Sequence, residues 1–318
     1  MQAQNLNIHN KVKLHKRVEK LMGNIFEISV MSESTDFGYK CLYDAINEIK
    51  RIEKIFTTFD ENSQTNKINQ HAGIAPVKVE QEVIDLIERS IKISNLTQGA
   101  FDITYGSSDK NFWNFDLTMK SLPDKALAKA AVRLINYKNI VIDKKNQTVF
   151  LKEKGMRIGF GGIGKGYAAE RVKALLKLKG IHSGIVNAAG DLTTWGFQAD
   201  GKPYSIGIAN PSASDHPLAT MNISNMAVAT SGNYEKYVMI NGIRYSHTID
   251  PKTGYPITGI KSVTIICPNA EVADSLATPV MIMGIEAGLH LINQMKGVEC
   301  LIIDEGNQIF CSQNIKAI

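Results

Sequence analysis

The stretch GFGGIGKGYAAE, Gly159 to Glu170, decides how this chain is read. Gly159, Gly161 and Gly164 satisfy the G-x-G-x-x-G pattern of a dinucleotide-binding turn, and Gly159 to Lys165 nearly satisfies the G-x-x-x-x-G-K-[ST] pattern of a phosphate-binding loop. A Rossmann turn needs an acidic residue about 20 positions beyond its glycines, at the end of the second strand of a βαβ unit. Gly184 stands there, and the nearest downstream acid, Asp191, follows its own Ala-Ala-Gly turn. The phosphate-loop reading fails at Gly166, where a Ser or Thr hydroxyl should hold magnesium. What survives is physical. Several glycines let a backbone approach a ligand closely, and the start of the next helix offers free N–H groups and a positive dipole end to a phosphate. A glycine-rich turn packed tightly against a sheet is the plainer alternative.

Outward from this turn, the elements mix without regular βαβ alternation. A helix over Lys165 to Lys179 is stopped by Gly180. Before it, Asn24 to Met31 alternates as a strand with Phe26, Ile28 and Val30 on one face. Leu42, Ile46, Ile49, Ile52 and Phe56 then recur at helical steps, and Glu80 to Thr97 gives a second helix. NIVID and TVFL flank Lys144 to Gln147 as a hairpin. After it, Tyr204 to Ala209 alternates, Asn241-Gly242 closes a hairpin within Tyr237 to Ile249, and KSVTIIC follows. Helices over about Glu271–Met283 and Ile285–Met295 precede a closing hairpin, ECLIID-EGN-QIFC. The expected class is α+β: one large domain of mixed, mainly antiparallel sheets with packed helices. Residues 1–18 are expected to be a flexible segment, with the domain spanning 19–318.

Composition narrows the partners. The 318 residues are 44% hydrophobic and carry a net charge of only +5, with no long basic block, so a nucleic-acid partner is not indicated. No apolar run is long enough for a transmembrane helix. The polar, basic N-terminus is not a signal peptide as it stands, which leaves two compartments open: periplasm or cell envelope if a leader has been removed, cytoplasm otherwise. Cys41, Cys267, Cys300 and Cys311 form no C-x-x-C pair and lack histidines at zinc-ligand spacing, so buried thiols are expected.

Several clusters carry chemistry. QGAFDITYG, Gln98 to Gly106, places Asp102 in a turn; NAAGDL, Asn187 to Leu192, ends a small-residue turn on an acid; ATSGNYEKY sets Ser231 and Asn233 around a glycine. SHTIDPKTGYP, Ser246 to Pro256, puts His247 on a strand ahead of the Asp250-Pro251 turn. Asp274 and Thr278 lie four residues apart, on one helix face. An acid and a hydroxyl are poor zinc ligands and reasonable magnesium ligands. Singly, an acid like Asp274 more often faces the helix dipole, and a histidine like His247 is more often a satisfied strand residue.

In order and spacing, MGN (Met22–Asn24), GAFD, GGIGKGYAAE, NAAGDL, SGNYE, SHTIDPKTGYP and ADSLAT resemble the ApbE family of flavin transferases. The resemblance covers roughly Glu19 to Gly284. It implies an ApbE-like, T-fold-like domain that binds FAD with Mg2+, transfers the FMN moiety to a threonine hydroxyl of a target protein and releases AMP. Hydrolysis of FAD to FMN and AMP, or flavin binding without turnover, are the alternatives. By motif, Met22 is the methionine of the first strand, Phe59 the aromatic of a Ser-Thr-Tyr turn, and Ala100, Phe101 and Asp102 the flavin-nucleotide turn. Gly162 offers a carbonyl to the metal, Lys165 contacts the ligand, and Asp274 and Thr278 are metal side chains. His247 and Thr248 lie at the flavin and transfer site, with His247 as general base and Asp250 as its alternative. On this reading Asp274 contributes little to the core, and Lys165 aids FAD binding more than rate. The chain departs from the family at Gly159, where an aspartate is usual, and at Ser63-Gln64 in place of Ser-Glu. Asp191 is the first candidate to supply the acceptor missing at Gly159.

Overall fold

The computed structural model describes residues 12–108, 119, 121–211, 217–233 and 237–315. The chain enters as a hairpin, β1 (Lys13–Leu21) and β2 (Asn24–Ser32). Met22 (φ 52°) and Gly23 (φ 74°) form its two-residue turn, both left-handed as a tight hairpin of this twist requires. Two expectations are corrected here. β1 begins inside the segment expected to be flexible, because pairing with β2 along its whole length holds a strand that only His15 and Leu21 bury. Met22 lies in the turn, not on a strand.

Ser34 caps the next helix through the Phe37 N–H at 3.2 Å. This is α1 (Thr35–Phe56), whose Leu42, Ile46, Ile49, Ile52 and Phe56 are buried as their spacing predicts. There follow α2 (Gln64–Gln70), β3 (Val77–Lys78), α3 (Gln81–Leu96) and α4 (Lys125–Ala131). The hairpin of β4 (Ile140–Asp143) and β5 (Thr148–Leu151) then leads into the glycine turn and α5 (Gly164–Leu178). Next come β6 (Gly184–Ala188), β7 (Asp191–Trp195), β8 (Tyr204–Ile208), β9 (Ala219–Ile223) and β10 (Ala227–Gly232). The chain closes through β11 (Tyr237–Ile240), β12 (Ile243–Ser246), β13 (Ile260–Cys267), α6 (Ala270–Met283), α7 (Ile285–Asn293), β14 (Glu299–Asp304) and β15 (Ile309–Cys311).

Eight strands form one antiparallel sheet in the order β1-β2-β6-β7-β10-β13-β14-β15. Helices α1, α5, α6 and α7 cover successive strands along it. In β14, Cys300 and Ile302 join the core under α6 and α7, while Leu301 and Ile303 pack with Ile208 of β8 and Ala219 of β9. Period-two alternation therefore feeds both faces, which explains why β13 is buried without a break from Ser262 to Cys267. The α+β, mainly antiparallel expectation holds. The rejection of a Rossmann unit holds too, since β5 and β6, the strands before and after α5, lie in different sheets.

Candidate functional site

Gly166 shows why the glycine turn is built as it is. A Cβ there would fall 2.1 Å from the Ala270 carbonyl oxygen and 2.8 Å from the Asp274 Cβ. The first turn of α5 thus packs backbone-close against the first turn of α6, where any side chain would collide. The residue that defeats the phosphate-loop reading is the one that brings α5 onto Asp274. The Gly166 N–H donates to Asp274 Oδ2 at 2.9 Å. Ahead of it, Phe160 stacks edge-to-face on Phe56 of α1 at 4.8 Å, which fixes the glycine turn to the core.

Distant segments of the chain meet at a cleft of about 800 Å³. Ala100, Phe101 and Asp102 come from the turn after α3, Gly159, Gly161 and Gly162 from the glycine turn, Thr278 from α6, and His247 and Thr248 from the loop after β12. Phe59 stands at the rim, 97% exposed. The structure brings together eight of the expected site residues: Phe59, Ala100, Phe101, Asp102, Gly162, His247, Thr248 and Thr278. Met22, Lys165, Asp250 and Asp274 do not line the cleft.

Each of those four has a physical reason. Met22 packs its methyl group toward Gly164, behind the glycine turn. Asp250 accepts from the Lys252 N–H at 2.8 Å and the Thr253 hydroxyl at 2.9 Å, so its carboxylate closes its own turn. Lys165 pairs with Asp191 and lies 3.7 Å from Asp274 Oδ1. Burial alone would lower the Lys165 pKa, but Asp274 and Asp191 raise it. Burial and the neighbouring Asp274 carboxylate push Asp191 up to about 7 despite Lys165. Asp274 is also raised by burial, against the opposing pull of Lys165 and the Gly166 N–H. Lys165 is therefore the counter-charge of two buried acids, and Asp191 is committed to it instead of replacing an acceptor at Gly159. Gly159 itself has room for a side chain, with only the Thr58 methyl at 3.6 Å from an added Cβ.

This arrangement predicts the outcome of Lys165→Met. Removing one partner of a fully buried pair costs about 3–5 kcal/mol. The Lys165 side chain keeps 26% of its exposure, so a loss near or below the lower end, about 2–3 kcal/mol, is expected. Chemical denaturation measures it, and an unchanged midpoint would show that the pair contributes nothing.

Asp102 also differs from its expected role. Its Oδ1 accepts from the Thr104 N–H and hydroxyl, both at 2.7 Å, and its Oδ2 from the Tyr137 N–H at 2.8 Å. Burial raises its pKa even so. The aspartate shapes the Phe101 turn, with its carboxylate occupied by protein donors.

The histidine loop is equally well held, and β12 stops one residue before it. His247 sits in a bend, not on the strand, because the chain folds back there: the Ser246 N–H donates to the Ile257 carbonyl at 3.2 Å and the Ile257 N–H to the Thr248 carbonyl at 3.0 Å. Asn233 Oδ1 accepts from the Ser246 hydroxyl and, at 3.4 Å, from the Thr248 hydroxyl. The Ile249 N–H donates to the Tyr105 hydroxyl at 3.1 Å. Tyr105, Arg157 and Pro279 are cleft residues that the sequence reading did not single out. Alternation of buried Met156, Ile158 and Phe160 with Arg157 and Gly159 was the available signal for Arg157.

The donors near α6 are hard oxygens. The Asp274 carboxylate and the Thr278 hydroxyl stand one turn apart, Thr278 shares a 3.0 Å hydrogen bond with Ser231, and Gly162 lines the cleft beside Thr278. Among the described residues no group of three or more His, Cys, Asp or Glu could hold a metal, which disfavours a zinc-type centre. A carboxylate, a hydroxyl and a backbone carbonyl fit magnesium, which takes few protein ligands and completes its shell with water and phosphate. No helix among the described residues is long and apolar enough to cross a membrane.

Known proteins share this architecture. The chain is similar to the ApbE protein of Thermotoga maritima, with 32% identity, a TM-score of 0.84 and coverage of 95% of this chain and 97% of that one. It is similar to the flavinyl transferase ApbE of Pseudomonas stutzeri in its apo form, with 27% identity, a TM-score of 0.81 and 94% coverage of both chains. A FAD:protein FMN transferase of Klebsiella pneumoniae is 30% identical over 266 residues, 83% of this chain and 82% of that protein. One from Treponema pallidum is 27% identical over 321 residues, 96% and 88% of the two chains. The ApbE family model matches residues 22–302, and the chain belongs to the ApbE family.

Proposed function

We propose that this protein transfers the FMN moiety of FAD to a threonine hydroxyl of an acceptor protein, with magnesium, and releases AMP. The observation that carries the reading is the convergence of the Phe101 turn, the Gly161-Gly162 turn, Thr278 and the His247-Thr248 loop on one cleft in a chain of this family. The acceptor hydroxyl attacks the FMN phosphorus, the bond from that phosphorus to the bridging oxygen breaks, and AMP leaves with that oxygen. His247 takes the hydroxyl proton; its position is set by Asn233 and Tyr105 on either side. Phe101 and Phe59 offer aromatic surface to the ring systems of the dinucleotide. The Asp274 carboxylate, the Thr278 hydroxyl and the Gly162 carbonyl would hold magnesium. When bound, the ion stabilises charge that develops on the phosphates.

The test uses the whole protein with FAD, magnesium and a candidate acceptor carrying a threonine in a small-residue context. A mass gain of FMN on the acceptor is expected, with AMP in equal amount. Free FMN and AMP with no flavin on any acceptor would make the protein a pyrophosphatase, and no AMP at all would make it a carrier. The metal assignment has its own test in Thr278→Val, which keeps shape and removes one oxygen. One ligand oxygen contributes about as much as a hydrogen bond to a charged group, so the magnesium needed for half-maximal activity should rise about ten- to a hundredfold, with activity recovered at high magnesium. An unchanged magnesium requirement would remove Thr278 from the ligand set.

A further inference from the structure

Among the described residues, Arg157 and His247 are the only side chains lining the cleft that carry or can take up positive charge. Lys165, the cation of the glycine turn, is committed to Asp191 and Asp274 outside the cleft. Arg157 is exposed and has no ion pair with any described residue. Its backbone is fixed: the Arg157 N–H donates to the Ser107 hydroxyl oxygen at 2.8 Å, and that hydroxyl donates to the Arg157 carbonyl at 3.0 Å. Two residues on, the Gly159 N–H donates to the Ile103 carbonyl at 2.9 Å, so the segment runs clamped along the turn that carries Ile103 to Ser107. A Cβ on Gly106 would lie 3.8 Å from the Arg157 Cβ, and Gly159, two residues on, carries no side chain either. The one carboxylate of the cleft lining among the described residues, Asp102, already accepts from three protein donors. A guanidinium without a counter-ion among the described residues, on a rigid support beside bare backbone, is a site for a phosphate oxygen.

We infer that Arg157 is a substrate-binding residue that holds a phosphate of the AMP half of FAD and of the departing AMP. The inference rests on the FAD reading of the cleft and adds to it the residue that meets the nucleotide's charge. Adenosine has no phosphate and AMP has one, so the pair isolates the contact. In Arg157→Gln the inhibition constant for AMP and the KM for FAD should each rise about tenfold, while inhibition by adenosine changes about twofold or less. Arg157→Lys should fall between the two, because lysine keeps the charge and loses the bidentate fork. Thermal stability without ligand should not change, since the side chain holds nothing in the described fold, and it serves as the folding control. Equal weakening of AMP and adenosine, or no weakening of AMP, would overturn the inference while leaving FMN transfer by the wild-type protein in place. A wild-type protein that neither binds nor consumes FAD would overturn the functional reading itself, and this inference with it.

Discussion

Asp274→Asn should lower FMN transfer by about a thousandfold while the protein still folds. The magnitude follows from the several kcal/mol that a bound metal ion contributes to phosphoryl-group chemistry, at about 1.4 kcal/mol per factor of ten. The asparagine is the informative choice because of what Asp274 does in the fold. Its Oδ2 accepts the Gly166 N–H at 2.9 Å, and an amide oxygen can keep that bond. Asp274→Ala would leave the N–H buried without a partner, at about 1–3 kcal/mol. The expectation that this acid contributes little to the core is thus corrected: it is only 7% exposed and joins α6 to the start of α5. Comparison of the two variants separates metal from fold. If the asparagine variant transfers FMN at the wild-type rate and with the wild-type magnesium dependence, Asp274 is a structural residue and the metal lies elsewhere.

That dual role shows where sequence reading stops. Asp274 and Thr278 could be placed on one face from their spacing, because helical periodicity is local. The partner across the helix interface could not, because the contact between α5 and α6 joins residues 166 and 274 through sheet order. Lys165 illustrates the same limit. Its place in a glycine motif suggested a ligand contact, and only packing shows its charge committed to Asp191. The core helices and the Asn241-Gly242 hairpin were legible because burial or turn chemistry writes a pattern on them. β1, KLHKRVEKL, carries no such pattern: it is an edge strand with both faces largely wet, and its conformation comes from the Met22-Gly23 turn and from β2. The cleft follows the same division. Its turns could each be recognised, while the convergence of Phe101, Gly162, Thr278 and His247 depends on the order of eight strands.

His247→Ala should reduce transfer about 10²- to 10⁴-fold, the range for loss of a general base. A hydroxyl nucleophile must shed its proton as the new bond to phosphorus forms, and a positioned imidazole is suited to accept it near neutral pH. The structure narrows the choice of base. The Asp250 carboxylate is engaged by Lys252 and Thr253 and does not line the cleft, and Asp102 is held by Thr104 and Tyr137. Among the described residues, His247 is left as the cleft's candidate for proton transfer. Its loop is supported from two sides, so removing the imidazole should not move the backbone: Asn233 holds Ser246 and Thr248, and Tyr105 holds Ile249. This support supplies the control. Asn233→Ala removes no proton acceptor but loosens the loop, and should raise KM and lower kcat together. His247→Ala should leave FAD binding near normal and lower kcat alone. A base role also predicts that the residual activity of His247→Ala rises with pH, as hydroxide takes over part of the proton transfer. If His247→Ala transfers FMN at a near-normal rate at every pH while Asn233→Ala is impaired, the loop matters for its shape, and the proton leaves by a route that does not involve His247.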